Sequence, residues 1–380
     1  MYILHLPSWF PDAENPYKGN FIEKHIDAIS DFYPCITLQV VGIEKVTRKC
    51  ATEEKDNNII IRYFYKKSHN LFRKAYNKFY KEYLYHKGAE KIVAQYGKPE
   101  LIHLHVAFPV GKTACRWSEK WGIPLVLTEH WSIYQEKNRD KLAPALDKKL
   151  RKIWRNVQAF TTVSQDLKQQ IERLYETKYG FVIHNVVNTN LFCPFTPNHD
   201  KKTIIHISTL QDEVKNFTGI LQAIDMLHQK RNDFVLKVIY EQPNAAAEQY
   251  VKDHHLSAIV QFLGSKPEVE VAQELQNSDF LVLFSNYENL PCVICEAFSC
   301  GKPVVVTPVG GIPEIVNTDR GLFAQVKDIE DLALQLNTML DHYNDYNSFN
   351  IRTFSEKHFS RKKIGKEFSE FYKFLVSLHP

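Results

Sequence analysis

Phe284-Ser285-Asn286-Tyr287-Glu288-Asn289-Leu290-Pro291-Cys292-Val293-Ile294-Cys295-Glu296-Ala297-Phe298-Ser299-Cys300-Gly301 is the densest stretch of the chain. It follows an apolar run, residues 280–284, of strand length, and it opens into an apolar helical pattern. Pro291 suits a first helical turn, where its missing N–H would have no intrahelical partner. The free amides of that turn can bind an anion, most readily a phosphate. Glu288 sits in the loop and Glu296 lies about two turns into the helix. One carboxylate can therefore hold a group at the helix mouth while the other reaches hydroxyls deeper along it, a spacing that fits a sugar. The same pair also reads as an N-terminal carboxylate favoured by the helix dipole beside an unrelated surface carboxylate.

Outward from this stretch, strand and helix alternate over nearly the whole chain. Apolar, β-branched runs occupy residues 1–6, 36–41, 59–65, 101–107, 125–128, 159–163 and 181–184. They restart at 204–210, 234–240, 260–263, 280–284, 304–307 and 322–326. Between them apolar residues recur at helical spacing, as Phe21, Ile22, His25, Ile26 and Ile29 do. This order predicts an α/β fold of two doubly wound, Rossmann-like parallel sheets. Residues 193–202, with two prolines and polar neighbours, form the linker between domains 1–192 and 203–358. Helical segments follow, and residues 359–380 form a last helix with Phe368, Phe371, Tyr372 and Leu375 on one face. In such sheets ligands bind at the carboxyl ends of the strands.

Composition narrows the class. A 44% apolar share over 380 residues supports real cores, and 24% charged residues is ordinary. No apolar run is long enough to span a bilayer, and the amino terminus lacks the pattern of a secretory signal. Seven scattered cysteines do not read as a disulfide framework. The expectation is a soluble protein of the cytoplasm. Cys292-x-x-Cys295 has no second pair at zinc-site spacing, so both read as small packing residues. Gly310-Gly311, after a strand, allows either close approach to a ligand or a plain tight turn. Residues 62–98 carry ten Lys and Arg against two acids, +8 in a chain whose total is +4. In this segment Phe72, Tyr76, Phe79 and Tyr83 share one helical face, with Lys74, Lys78 and Lys81 opposite. It reads either as a helix docked on the first sheet with a solvated cationic face, or as a surface for anionic membrane lipid, on whose inner face the protein would be peripheral. No nucleic-acid recognition motif accompanies the charge.

The letters of the opening stretch resemble retaining GT-B glycosyltransferases of family four, glycosyl transferases group 1. Glu288 and Glu296 match that family's Glu-x7-Glu motif, and Leu290-Pro291, Glu296-Ala297, Cys300-Gly301, Pro303-Val304-Val305 and Gly310-Gly311-Ile312-Pro313-Glu314 match in register. Pro7-Ser8-Trp9-Phe10-Pro11 with Gly19-Asn20-Phe21 resembles the family's first glycine loop. His103-x-His105 and Thr128-Glu129-His130 resemble its histidines after strands. Thr162-Val163-Ser164 and Ile183-His184-Asn185-Val186-Val187-Asn188 resemble its pre-linker signature. Ser208-Thr209-Leu210 through Lys215-Asn216 resembles its phosphate loop. The likeness covers almost the whole chain.

The resemblance implies roles. Glu296 would bind the ribose hydroxyls, Glu288 the hydroxyls of the transferred sugar, and Lys215 the diphosphate. Thr209, Gly264 and the amides of Asn289 and Leu290 would complete the nucleotide-sugar site. Gly19 would let the first loop approach the phosphate and acceptor where a side chain would block access. His130 would lie beside the transferred sugar, and His105 would face the acceptor with His103 structural. Thr209 stands where the family usually carries Arg, and Lys266 would be the substitute for the missing cation. The last helix would cross back to the first domain. The implied chemistry is retaining transfer from a UDP- or GDP-type sugar nucleotide to a glycan or lipid-linked acceptor, in cell-surface polysaccharide or glycolipid synthesis. The leaving phosphate would take the acceptor proton, so no dedicated nucleophile and no cofactor is expected. Without an Asp-x-Asp tripeptide, no metal is expected either. The rivals are a sugar-nucleotide epimerase on the same fold and a non-catalytic partner subunit. A phosphorylase lacks its pyridoxal-phosphate lysine context, and a dehydrogenase lacks Gly-x-Gly-x-x-Gly after a strand.

Overall fold

The computed structural model describes residues 2–68, 70–196 and 200–378, and the side chains of residues 71–75 fall outside it. Linker residues Pro197, Asn198 and His199 and the side chains of Phe72 and Lys74 therefore lie outside the described residues.

The chain forms two compact units, Met1–Val186 with Arg361–Pro380, and Val187–Ser360. The first holds an eight-stranded sheet of β1 (Ile3–Pro7), β2 (Cys35–Ile43), β3 (Cys50–Lys55), β4 (Asn58–Lys66), β5 (Leu101–His105), β6 (Leu125–Glu129), β7 (Ala159–Thr162) and β8 (Tyr179–Val182). Their spatial order is β3-β4-β2-β1-β5-β6-β7-β8. Every pairing is parallel except β3 with β4. The apolar runs predicted all seven parallel strands of this unit. β3 escaped them because Cys-Ala-Thr-Glu-Glu-Lys has no apolar alternation. It is a charged edge strand, and its glutamates blunt an edge that would otherwise invite further pairing.

The second unit holds β9 (Lys202–Ser208), β10 (Phe234–Tyr240), β11 (Val260–Gly264), β12 (Phe280–Leu283), β13 (Val304–Val306) and β14 (Gly321–Phe323). Their order is β11-β10-β9-β12-β13-β14, all parallel. This is the doubly wound dinucleotide-fold order, and it reverses direction between β9 and β12. In the first sheet the reversal lies between β1 and β5. At each reversal neighbouring loops leave the sheet in opposite directions and open a crevice at the strand ends.

Each unit has its own apolar core. In the second, Ile220, Leu221 and Ile224 of one helix pack with Leu236, Val282 and Leu336. In the first, the last helix, Arg361–Ser377, buries Ile364, Phe368, Phe371, Tyr372 and Leu375 against Ile22, Ile26 and Ile29 of helix α1 (Asn20–Ser30). The aromatic face predicted for this helix is thus buried within the first unit. Gly365 permits the close crossing, since a Cβ there would lie 2.3 Å from the Ala28 carbonyl oxygen.

The basic segment forms helix α2 (Leu71–Tyr96), and its orientation differs from the docked reading. Leu84, Tyr85, Ala89 and Ile92 are buried, and a Cβ on Gly88 would meet Leu38 and Tyr63 of the sheet. Tyr76, Phe79 and Tyr83 face solvent instead, at 62, 71 and 56% exposure. Lys81 turns inward with its ammonium 5.9 Å from the Tyr85 ring centroid, and burial lowers its pKa to about 8. Gly88 lets this face approach Leu38 and Tyr63 closely, and Leu84, Tyr85, Ala89 and Ile92 are buried along it.

Candidate functional site

The site-bearing loops of the second unit leave β9 and β12 on the two sides of its reversal point. After β9 the backbone is tightly turned, with Leu210 and Asn216 both at positive φ, a conformation non-glycine residues rarely adopt. Ser208 holds this turn. Its hydroxyl accepts from the Leu210 amide at 3.0 Å and lies 2.7 Å from His206 Nε2, while His206 Nδ1 is 2.9 Å from the Val282 carbonyl. Burial pushes the His206 pKa down to about 4, so the ring is neutral and bridges the two strands. The short helix Asp212–Lys215 follows. Asn286, from the β12 loop, clamps it through three donated bonds: its Nδ2 donates to the Asp212 and Glu213 carbonyls, and its backbone amide to the Val214 carbonyl.

This clamp brings Lys215 to Glu288. The ammonium donates to Glu288 Oε1, which also accepts from Ser285 Oγ at 2.7 Å. Both charged side chains are largely shielded, at 16 and 11% exposure. Asn289 and Gly311 are joined through backbone, Gly311 N donating to Asn289 O at 2.7 Å. Gly310, at φ +56°, comes so close that a Cβ there would lie 1.9 Å from the Glu288 carbonyl oxygen. The double glycine is therefore a close backbone approach, and what it approaches is the Glu288 loop itself. Thr307 Oγ1 donates to the Ser285 carbonyl at 2.6 Å and completes the brace.

Glu296 lies part-buried on the helix Cys292–Ser299, which Pro291 caps, and Leu290 is buried just before it. Cys292, part-buried, and Cys295, buried, sit on this helix and form no disulfide among the described residues. Thr209 is exposed and, with Leu210, Gln211, Glu241, Pro243 and Asn244, lines a cavity of about 360 Å³ at the ends of β9 and β10. Gly264 ends β11 at φ +73° with open space where a Cβ would stand. Lys266, the suggested substitute cation, pairs with Glu270 at 2.8 Å.

In the first unit, three expectations change. Gly19 is at φ +71°, but a Cβ there would meet the Trp9 backbone at 2.8 Å. Its side-chain space is filled by the protein, so packing of the loop on Trp9 requires the glycine. His105 is fully buried rather than facing an open cleft. His103 and His105 alternate onto the same sheet face, and β1 places His5 beside them. His5 Nδ1 lies 3.0 Å from His105 Nε2, while His103 bonds Tyr372 at 2.6 Å and Thr128 at 2.7 Å. The third is His130, which is 9% exposed, with its ring 4.6 Å from Phe21 and 5.3 Å from His25. Burial lowers the pKa of all five histidines, to about 3 for His5 and about 4 for His25. One nitrogen from each of His5, His103 and His105 lies within 4.8 Å of the others, a spacing a metal ion can bridge. The same rings take part in a buried hydrogen-bonded network with Thr128 and with Tyr372 of the last helix.

Glu129 was quoted in the sequence only as a neighbour of His130. It is fully buried and accepts from the amides of Ala107, His130 and Trp131 at 2.8–2.9 Å and from Tyr134 Oη at 3.0 Å. One carboxylate thus fixes the loops after β5 and β6, and with them the backbone of His130. Burial raises its pKa. A strand-end Glu directly before a histidine was the available signal.

Two doubly wound units, with charged side chains gathered at the reversal point of the second, define the GT-B class. Comparison with known proteins assigns the family. Glycosyltransferase Family 4 matches residues 46–191 and Glycosyl transferases group 1 matches residues 189–354. The chain belongs to the GT-B, family-four-like glycosyltransferases. It is 29% identical over 260 residues to N-acetyl-alpha-D-glucosaminyl L-malate synthase of Bacillus anthracis, covering 64% of this chain and 67% of that one. Curated relatives are matched over about two thirds of their own length or less. Among solved structures, sucrose-phosphate synthase from Thermosynechococcus elongatus superposes with a TM-score of 0.80 at 16% identity, covering all of both chains. Anabaena HepE in complex with UDP superposes at 0.73 and 17% identity, over 98% of this chain and all of that one. These two likenesses concern the fold. Among the described residues, no helix is long and apolar enough to cross a membrane.

Proposed function

We propose that this glycosyltransferase moves a hexosyl group from a UDP- or GDP-type sugar nucleotide, with retention of anomeric configuration and without a metal, onto a glycan or lipid-linked acceptor in polysaccharide or glycolipid synthesis. The observation that carries the reading is the Lys215–Glu288 pair at the reversal point of the second sheet. A diphosphate entering there meets an ammonium already held by neighbouring loops, where leaving-group charge grows in the transition state. As Lys215 turns to the phosphate, Glu288 is released to accept from hydroxyls of the transferred sugar. Glu296, further along the helix, takes the ribose hydroxyls, and the amides at Asn289 and Leu290 support the phosphates. The leaving phosphate oxygen takes the acceptor proton as the new glycosidic bond forms on the same face.

Titration calorimetry with UDP and GDP tests this. The wild type binds one of them. Glu296→Ala weakens that binding, whereas Glu288→Ala reduces transfer more than nucleotide affinity. A wild type that binds neither nucleotide refutes the reading. A donor converted without any acceptor would show an epimerase instead.

A further inference from the structure

The solvent face of α2 takes no part in the proposed transfer reaction. At 100° per residue, Tyr76, Tyr80, Tyr83 and Lys87 fall within a narrow arc, with Phe79 at its edge. The rings form a continuous strip. Tyr76 stacks on Tyr80 at 5.7 Å between centroids, and Tyr80 on Tyr83 at 5.9 Å. Phe79, at 71% exposure, has no polar atom to justify its place in water. Among the described residues nothing in the first unit covers Tyr76, Phe79 and Tyr83, because the opposite face of the helix, through Leu84, Tyr85, Ala89 and Ile92, docks on the sheet.

The charge around the strip is predominantly positive. Residues 62–98 sum to +8 while the whole chain carries +4. Lys78, Lys87 and Lys91 are exposed. Of the two acids on the helix, Glu82 is engaged by Arg116, and Glu90 is exposed. Rings with polar tips beside lysines match a boundary between hydrocarbon and anionic headgroups. A second copy of the chain would bring +8 against +8, so self-association through this face is disfavoured.

We propose that the aromatic strip of α2 seats the first unit on an anionic lipid surface, with Tyr76, Phe79 and Tyr83 entering the interface and Lys87 and Lys91 meeting the headgroups. This differs from a docked aromatic face with an outward lysine face, since Lys81 is turned inward. It does not depend on the transferase reading.

Flotation with phosphatidylcholine vesicles, with and without about one-third phosphatidylglycerol, tests it. The full chain is expected to float with the anionic vesicles and not with the neutral ones. In about 0.5 M salt, where the Debye length is only a few Å, binding falls. Phe79→Ser with Tyr83→Ser lowers the partition coefficient by about tenfold or more, and Lys87→Glu with Lys91→Glu does likewise. All four positions are exposed, so the melting temperature stays at the wild-type value and confirms folding. The proposal is overturned if wild type fails to float with anionic vesicles, or if the aromatic variant floats as well as wild type. It is equally overturned if those substitutions disperse a vesicle-free oligomer, or if a single-stranded oligonucleotide competes the protein off the lipid through the same residues.

Discussion

Lowering the pH should unfold the first unit well before carboxylates titrate in bulk. His5 and His25 are completely buried, and burial lowers their pKa to about 3 and about 4. In the unfolded chain both return to about 6.5. A histidine whose folded pKa is depressed favours the native state fully above the unfolded pKa. That contribution is lost as pH falls from about 6.5 towards the folded pKa, because only the unfolded chain takes the proton. At pH 5 the loss is about 1.5 pH units at 1.36 kcal/mol each, about 2 kcal/mol per histidine and about 4 kcal/mol for the two. His103, His105 and His130 shift in the same direction and add to it. Glu129 opposes them, since its raised pKa means that the folded state gains a proton more readily than the unfolded one. One carboxylate stands against five imidazoles, and domains hold only about 5–15 kcal/mol in total. All five tryptophans lie in the first unit, so tryptophan fluorescence follows that unit alone. Urea titrations at pH 7.5 and pH 5.0, at fixed ionic strength, should show its midpoint fall sharply. His25→Gln keeps a donor for the His184 carbonyl, now bonded at 2.9 Å, and should remove about 2 kcal/mol of the pH dependence. An unchanged midpoint between the two pH values would refute buried neutral histidines as the cause.

Four further outcomes follow from single residues. Lys215→Met should weaken nucleoside-diphosphate binding by roughly tenfold or more in calorimetry, as expected for losing a charge-assisted bond of about 1.5–3 kcal/mol. Glu129→Gln replaces one acceptor oxygen with a donor facing backbone amides, so the unit should lose about 1–3 kcal/mol in urea denaturation, with faster hydrogen exchange at residues 130–134. Gly310→Ala places a Cβ 1.9 Å from the Glu288 carbonyl and should displace that loop, lowering nucleotide affinity. Gly264→Ala meets open space and should cost only the strain of positive φ, about 1–2 kcal/mol in thermal denaturation.

Much of this protein is legible along its chain because periodicity is a local property. Thirteen of the strands are apolar runs, and their alternation with helices allows few topologies. The β3 strand was not legible, since Cys50–Lys55 is held by its partner's register and has no pattern of its own. Likeness to the family's motifs singled out Lys215, Glu288 and Glu296. It did not expose Ser285 and Asn286 as the residues that hold the first two together, because bonds from loop side chains to a carboxylate or a backbone carbonyl leave no periodic trace.

The face each helix buries, and what each glycine is for, belonged to the tertiary structure. Tyr76, Phe79 and Tyr83 read equally well as a core stripe, and only packing around Gly88 turned them to solvent. Gly19 suited a ligand loop by sequence, and the Trp9 backbone fills its side-chain space. His105 looked accessible at a strand end until β1 set His5 against it and the last helix closed over the sheet face. The sequence by itself determined the two α/β units, the family resemblance and the residues that carry charge. The fold alone decided which of those residues meet and which are shut away from water, because burial and hydrogen-bond partnership depend on chain segments as far apart as His103 and Tyr372.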